Sequence, residues 1–512
     1  MTKNAPLTLL RQNRNILIVG AGGTGKSTLL RRFVEENADK RIITCAPTGT
    51  AAVNVEGSTV HRVFSVPVPA YGAKLSDVPE ATIKTLALAD IIIIDEISMC
   101  RADVFAFAMK VLAKAERRKG RRIRLICCGD FFQLPPVVRK TELKLFRKFG
   151  FDDSGFPFTT QEWKARNFKV VELTEIFRQD NEEFITHLNQ IRDGSVEGID
   201  YFRQFVGKEG SEDAIYICGT NAEADRINSE KLNVLDSLPI AYQAESSGRI
   251  ADGPADKIIM LKEGERVIFT VNDVKGMRYQ NGTMGTVVAA YPDNVVVRTD
   301  DGKELRVDRY TWTLYSYRAS GDTLIKKEAG TISQIPLKPA WAITIHKAQG
   351  KTFDRAVVAP ATFAAGQLYV ALSRVRSPEG LFLTQEILPE YIITSEEVQK
   401  FVRDGYVWKD LKPAKTAKKK AATKSSKNAA KKTSSVKKGS AEKSTARKKA
   451  TVAKKDTVRS KKKAAKKTAG KRTTAKRRKI NSATSKAVKK PHRQKNQNHK
   501  EDKAVQIGRS FL

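Results

Sequence analysis

Gly20-Ala21-Gly22-Gly23-Thr24-Gly25-Lys26-Ser27 decides the reading of this chain. A short, mostly apolar run, Asn15–Val19, precedes it, and a helical pattern opens near Lys26. The sequence G-x-x-x-x-G-K-[ST] between a strand and a helix is a phosphate loop. Its glycines let backbone N–H groups turn inward around phosphate oxygens, and the following helix aims its positive end at them. Chance would produce such a match in roughly 2% of chains of ordinary composition, before the strand and helix are required. Lys26 reaches the β/γ-phosphates and Ser27 holds Mg²⁺ in such loops. The nucleotide contacts expected here are Gly20, Gly22, Gly23, Thr24, Gly25, Lys26, Ser27 and Thr28, with ATP and Mg²⁺ as cofactors.

Ile91-Ile92-Ile93-Ile94-Asp95-Glu96 is the natural second half of the site: a buried strand ending in two carboxylates. Asp95 is expected to position Mg²⁺ with Ser27. Glu96 is expected to orient or deprotonate the attacking water. On its own, an apolar run closed by Asp-Glu marks only a strand reaching the surface; behind a phosphate loop it marks catalysis.

Working outward, Arg41–Cys45 and Ile123–Cys128 are further strands, and amphipathic stretches such as Ala102–Arg118 lie between. Strands alternating with helices predict a parallel sheet. Val170–Glu172 and Ala214–Cys218 restart the rhythm, and Ala356–Val358 and Leu381–Thr384 continue it. Between them, Arg266–Val271, Gly285–Ala290, Val295–Arg298 and Leu305–Val307 are short runs of β-formers, with hairpin signals at Asn281-Gly282 and Asp301-Gly302. The fold class is therefore α/β. A first P-loop domain spans 1–168, and a second α/β domain is built from 169–255 and 328–400. A small antiparallel barrel is inserted at 256–327.

The net charge of +37 is concentrated at one end. Residues 411–512 carry 37 Lys+Arg against 4 Asp+Glu, which leaves 56 basic and 52 acidic residues in the body. The tail's only aromatic residue is Phe511, so it cannot bury enough surface to offset the entropy of ordering, and it reads as disordered. No apolar run is long enough for a membrane span, and a secretory signal is not expected. The five cysteines contain no C-x-x-C pair, so reduced buried thiols are expected and a zinc site is not.

These motifs continue into a pattern. Ala46-Pro47-Thr48-Gly49-Thr50-Ala51-Ala52, Asp95-Glu96-Ile97-Ser98-Met99 and Gly129-Asp130-Phe131-Phe132-Gln133-Leu134-Pro135-Pro136-Val137 stand in order behind the phosphate loop. Leu173-Thr174-Glu175-Ile176-Phe177-Arg178-Gln179, Ile345-His346-Lys347-Ala348-Gln349-Gly350-Lys351-Thr352 and Tyr369-Val370-Ala371-Leu372-Ser373-Arg374-Val375 follow. Together they resemble the superfamily 1B DNA helicases of the PIF-one/RecD group, over about Ile16 to Thr384. The resemblance implies two RecA-like domains, an SH3-like inserted barrel, and an ATP-driven motor that moves 5′→3′ on single-stranded DNA in replication, repair or recombination. It implies that Gln133 senses the γ-phosphate and that Arg178 and Arg374 are arginine fingers reaching from the second domain. Gly350 joins the nucleotide contacts.

The DNA contacts implied are Thr48, Thr50, Thr59, His61 and Phe64 in the first domain, and His346 and Thr352 in the second. Hydroxyls and N–H groups suit phosphates and a ring suits base stacking. Thr59 also fits a helix cap and Phe64 a core position. The partners implied are single-stranded DNA and duplex junctions, with a monomer as the active form.

The stretch Cys100–Cys128 lacks the arginine-rich, Pro-Phe-Gly-Gly signature of eukaryotic members and carries Ala115-Glu116-Arg117-Arg118-Lys119-Gly120-Arg121-Arg122 instead. That argues for a bacterial or viral relative. The location expected is cytoplasmic and nucleoid-associated in a bacterium, nuclear in a eukaryotic or viral setting. Two rivals differ in class: an architectural DNA-binding protein with a vestigial ATPase, and an NTPase that remodels protein complexes.

The tail generates the first prediction. Truncation after Asp410 removes 33 of the 37 net positive charges and no motif. DNA-stimulated hydrolysis at saturating DNA should survive, while affinity for duplex falls, most in dilute salt, because counterion release drives non-specific binding. Binding isotherms of both forms across a salt series check this; equal salt slopes would leave the tail an inert solvating segment.

Overall fold

The computed structural model describes residues 5–208, 213–248, 253–273 and 276–407, so the basic tail at 411–512 lies outside the described residues. Six strands form the first sheet: β1 Ile16–Gly20, β2 Ile42–Ala46, β3 Ser58–Thr59, β4 Ile91–Ile94, β5 Arg124–Gly129 and β6 Lys169–Leu173. Their order is β3-β2-β4-β5-β1-β6, and every pairing is parallel. A parallel sheet is covered on both faces, which is why β1 and β4 are apolar along their length. Alternate residues divide between the faces. Leu17, Val19, Ile92 and Ile94 pack with Phe105 and Leu112 of the helix Ala102–Lys119. Ile16, Ile18, Ile91 and Ile93 pack with Leu30 and Phe33 of the helix Lys26–Glu36. All five cysteines are buried, free thiols.

The strand order positions the chemistry. β5 lies between β1 and β4. The loops that follow these three strands therefore leave side by side at the carboxyl edge, where open α/β sheets bind ligands.

Lys169–Leu173 is a correction. The strand rhythm places Val170–Glu172 at the start of the second domain, but the strand lies beside β1, with Ile18 opposite Val171. It is an edge strand with an exposed Lys169 and Glu172. A half-polar edge strand carries no local sign of which sheet it joins. The second sheet is Ala342–Thr344, Ile215–Cys218, Ala356–Val358 and Leu381–Leu383 in that order, all parallel. Ala342–Thr344 lies outside the expected strands and runs straight into the helix Ile345–Ala348.

The expected antiparallel texture is present. Glu304–Asp308, Asn294–Thr299, Met284–Ala290, Arg266–Phe269 and Leu337–Pro339 form one sheet in that order. Asp301-Gly302 turns a hairpin, whereas Asn281-Gly282 sits inside a longer connection between Phe269 and Met284. The expected end of the insertion at 327 falls within a long hairpin, Tyr310–Ser320 with Thr323–Gln334, which Glu245–Gly248 joins. This hairpin reaches the first domain: Tyr317 Oη accepts the Thr44 N–H at 3.1 Å, and the Ala319 N–H donates to Thr85 Oγ1 at 3.0 Å.

The helix Glu396–Arg403, assigned by sequence to the second domain, packs on the core of the first. Phe401 is fully buried and stacks on Phe158 with centroids 4.1 Å apart and planes 9° apart, while Phe131 meets it edge-on at 5.4 Å. Tyr406 Oη donates to Glu172 Oε1 at 3.1 Å. Sequence order does not reveal such a return, because its apolar stripe fits any core. Phe401→Ala should cost about 3–5 kcal/mol of stability, the usual cost of emptying a buried aromatic site. Urea denaturation checks this, with exposed Arg403→Ala as the control, and a loss under about 1 kcal/mol would show that the helix does not hold this core.

Candidate active site

The phosphate loop leaves β1 and enters the helix at Gly25. Gly23 has φ +87°, and a Cβ there would lie 2.6 Å from Arg178 Cβ. Only glycine fits both conditions. Lys26 Nζ donates to the carbonyl oxygens of Gly20 and Ala21, both at 2.9 Å, and so lies across the mouth of the loop. The buried Thr24 hydroxyl donates to Ala21 O at 2.9 Å and braces the loop from within.

Ser27 Oγ donates to Asp95 Oδ2 at 3.1 Å, which joins the two halves of the expected metal site. Asp95 Oδ1 accepts the Glu96 N–H at 2.9 Å. Burial holds the Asp95 carboxyl above its ordinary range. Burial, with Asp95 beside it, pushes Glu96 up to about 7. Glu96 also has φ +50°, a left-handed backbone that a β4 continuing as a strand would not give it. A strained carboxyl poised near neutrality is suited to taking a proton. The Thr28 side chain is exposed. It sits one position past Ser27, about 100° around the helix, so its hydroxyl is turned away from Asp95.

Three residues chosen from distant motifs converge on Gly22. A Cβ there would sit 3.3 Å from Arg178 Nη1, 3.3 Å from Gln133 Nε2 and 3.4 Å from Arg374 Nη2. Arg374 is 1% exposed, and its polar contacts are neutral: Val370 O at 2.7 Å, Ser373 Oγ at 2.7 Å and Lys351 O at 3.4 Å. Burial and the neighbouring Arg178 push its guanidinium down to about 9, and burial lowers Arg178 as well. A buried and a half-buried cation, with no carboxylate hydrogen-bonded to either among the described residues, form a strong anion site. Arg178 is tied to the second domain, its Nη1 donating to Ser373 O at 3.3 Å. It lies between β6 and the helix Glu182–Asp193, where the Phe177 N–H donates to Gly23 O at 2.9 Å.

Sequence reasoning missed Tyr369 and Gln349. The Tyr369 hydroxyl, carried by the second domain, accepts the Gly22 N–H at 3.1 Å, and Gln349 Nε2 donates to Gln133 Oε1 at 3.1 Å. Both lie in motifs quoted above, but an aromatic in an apolar helix reads as core. Gly350, with φ +78°, has no neighbour within 4 Å of a built Cβ.

The expected DNA residues separate. Thr50 and His346 are exposed, and Thr48, Thr59, His61 and Thr352 are half-buried. Thr48 and Thr59 cap helices through the Ala51 and Arg62 N–H groups. Burial pushes the half-buried His61 below its ordinary range. Phe64 is a correction: it is fully buried in the first core and has no face for a base. Among the described residues no group of three His, Cys, Asp or Glu side chains could hold a metal ion. A divalent cation here would depend on Ser27, Asp95 and the phosphates themselves, as Mg²⁺ commonly does.

A phosphate loop on one strand, a carboxyl pair two strands away and guanidiniums poised over the loop define a P-loop nucleoside triphosphatase. The model of the PIF1-like helicase family matches residues 6–200. The ATP-dependent DNA helicase Pif1 of Bdellovibrio bacteriovorus is 32% identical over 397 residues, covering 74% of this chain and 85% of that protein. The structure is similar to that of Bacteroides sp Pif1 in complex with ADP-AlF4, with TM-score 0.70, 34% identity, and coverage of 78% of this chain and 95% of that one. It is also similar to Bacteroides Pif1 bound to single-stranded DNA, with TM-score 0.57, 35% identity, and coverage of 79% and 97%. The chain belongs to the PIF1-like helicase family.

Glu96 generates the next prediction. With its carboxyl near 7, kcat/KM for ATP should rise with pH below that point and level off above it. Glu96→Gln should abolish both the slope and at least about 99% of turnover while nucleotide still binds. Because folding raises this carboxyl from 4.5 to about 7, its contribution to stability is present below 4.5 and lost as pH rises through 7. Glu96→Gln should therefore melt higher than wild type at about pH 8. Rate profiles and melting curves check both statements, and wild-type turnover in the variant would remove Glu96 from the chemistry.

Proposed function

We propose that this chain couples ATP hydrolysis in the cleft between its two parallel sheets to 5′→3′ movement along one DNA strand, opening duplex ahead of it. It is an ATP-dependent DNA helicase of the PIF1-like family. The observation that carries the mechanism is the convergence of Gln133, Arg178 and Arg374 on Gly22. Backbone groups from Gly20 to Thr28 cradle the phosphates, with Gly350 nearby, and Lys26 neutralises the β/γ oxygens. Ser27 and Asp95 would hold Mg²⁺, which would supply further neutralisation of the phosphate charge. Glu96 takes the proton of the attacking water, Gln133 contacts the γ-phosphate, and the two guanidiniums stabilise charge on the transferring group.

Buried cations relieved only by an anion draw the second domain onto bound nucleotide, and losing the γ-phosphate weakens that attraction. Opening and closing of the cleft is therefore tied to the chemical step. Thr48, Thr50, Thr59 and His61 on one side and His346 and Thr352 on the other grip successive parts of the strand's backbone. The partners are single-stranded DNA and duplex junctions, the motor acts as a monomer, and the basic tail tethers it to DNA. Among the described residues no helix is long and apolar enough to cross a membrane. The site of action is wherever the DNA is: the cytoplasm and nucleoid of a bacterium, or a nucleus.

Strand displacement on duplexes with a 5′ or a 3′ single-stranded overhang, with and without ATP, tests the direction. Displacement should require ATP and the 5′ overhang. Arg374→Ala should keep single-strand binding and lose DNA-stimulated hydrolysis by about 100-fold or more. Stimulation at the wild-type level would show that Arg374 is not a finger. Hydrolysis indifferent to DNA in the wild type would favour an NTPase that remodels protein.

A further inference from the structure

Asp130 stands just past β5 and is 2% exposed. Its Oδ1 accepts the Phe132 N–H at 3.2 Å and Arg192 Nη2 at 3.2 Å, and its Oδ2 accepts Gln133 Nε2 at 3.1 Å. Arg192 comes from the helix Glu182–Asp193, whose Phe184, Leu188 and Ile191 belong to the core of the second sheet. Its guanidinium also lies over the Phe132 ring, 4.2 Å from the centroid. One buried ion pair thus joins the segment carrying Gln133 to the core of the other domain.

The same segment is pressed from that side elsewhere. A Cβ on Gly366 would meet the carbonyl oxygens of Phe132 and Gln133 at 2.5 Å each. The Gln133 amide is held at both ends: its oxygen by Gln349, its nitrogen by Asp130, which Arg192 holds in turn. Arg192 Nε has no hydrogen-bond partner among the described residues. A buried guanidinium left with an unsatisfied donor is a poor device for stability alone.

We propose that Arg192 is a positioning residue for ATP hydrolysis. Through its cross-domain ion pair with Asp130, it aims the Gln133 amide at the phosphates only when the second domain is packed against the first. This rests on the reading of Gln133 as the γ-phosphate contact. The pair is suited to the task because a short-range, desolvated charge contact is strong when made and largely lost once water enters an opened cleft.

The full-length protein with saturating single-stranded DNA provides the test, through steady-state ATP hydrolysis, binding of N-methylanthraniloyl-ADP, and thermal melting. Arg192→Gln should lower kcat at least about tenfold, while KM for ATP and affinity for the fluorescent nucleotide stay within about threefold. Asp130→Asn, which keeps the shape of the side chain, should show the same split, and Arg192→Lys should recover part of the rate. If Arg192 acts through Gln133, the double variant Arg192→Gln/Gln133→Ala should be no slower than Gln133→Ala alone. A slow Gln133→Ala beside an Arg192→Gln at wild-type kcat would overturn the positioning role by itself. So would losses that multiply in the double variant, or a loss confined to KM. Wild-type turnover in Gln133→Ala would instead bring down the reading of Gln133, and the proposal with it.

Discussion

Two guanidiniums packed against a glycine are the constraint on which the rest of this structure depends. Arg178 and Arg374 both approach Gly22, where a Cβ would lie 3.3 and 3.4 Å from their guanidinium nitrogens. Like charges in a desolvated cleft repel, and burial lowers both guanidiniums. Packing elsewhere must hold them there. The nearby carboxyls are pushed in the opposite sense, with Glu96 raised to about 7. Desolvation thus disfavours the charged form of carboxyl and guanidinium alike within one cleft.

Contacts that cross between the domains supply that packing. The Phe401 stack on Phe158 brings the last described helix onto the first core, and Tyr317 ties the long hairpin to the buried Thr44 of β2. The insertion is therefore more than a decoration on the second domain. It touches Thr44 and Thr85, so movement at the cleft must be accommodated at the hairpin as well. The hydroxyl of Tyr369 and the Arg192–Asp130 pair close the same seam beside the nucleotide loop.

The alternation that predicted a parallel sheet was legible because a strand covered on both faces must be apolar throughout, as Ile91–Ile94 is. Lys169–Leu173 was misassigned for the converse reason: an edge strand is half polar, and nothing local says which neighbour it takes. The hairpin from Tyr310 to Gln334 alternates but extends past the barrel pattern, so the expected boundary at 327 cut through it. Thr59 was open between a cap and a phosphate contact, and the cap is present. Phe64 was open between core and stacking, and the core took it.

By itself the sequence determined the chemistry's parts list: a phosphate loop, an acidic pair closing an apolar strand, and two arginines within recognisable motifs. These are set by spacing along the chain, because backbone conformation and strand burial act over a few residues. Tertiary structure alone decided which parts meet. The order β4-β5-β1 sets Asp95 beside Ser27, and the second domain's docking brings Tyr369, Gln349 and Arg192 to a site on the first. Such contacts join residues up to 347 positions apart. Their energies depend on burial and on distances of a few ångströms, quantities that exist only after the chain has folded.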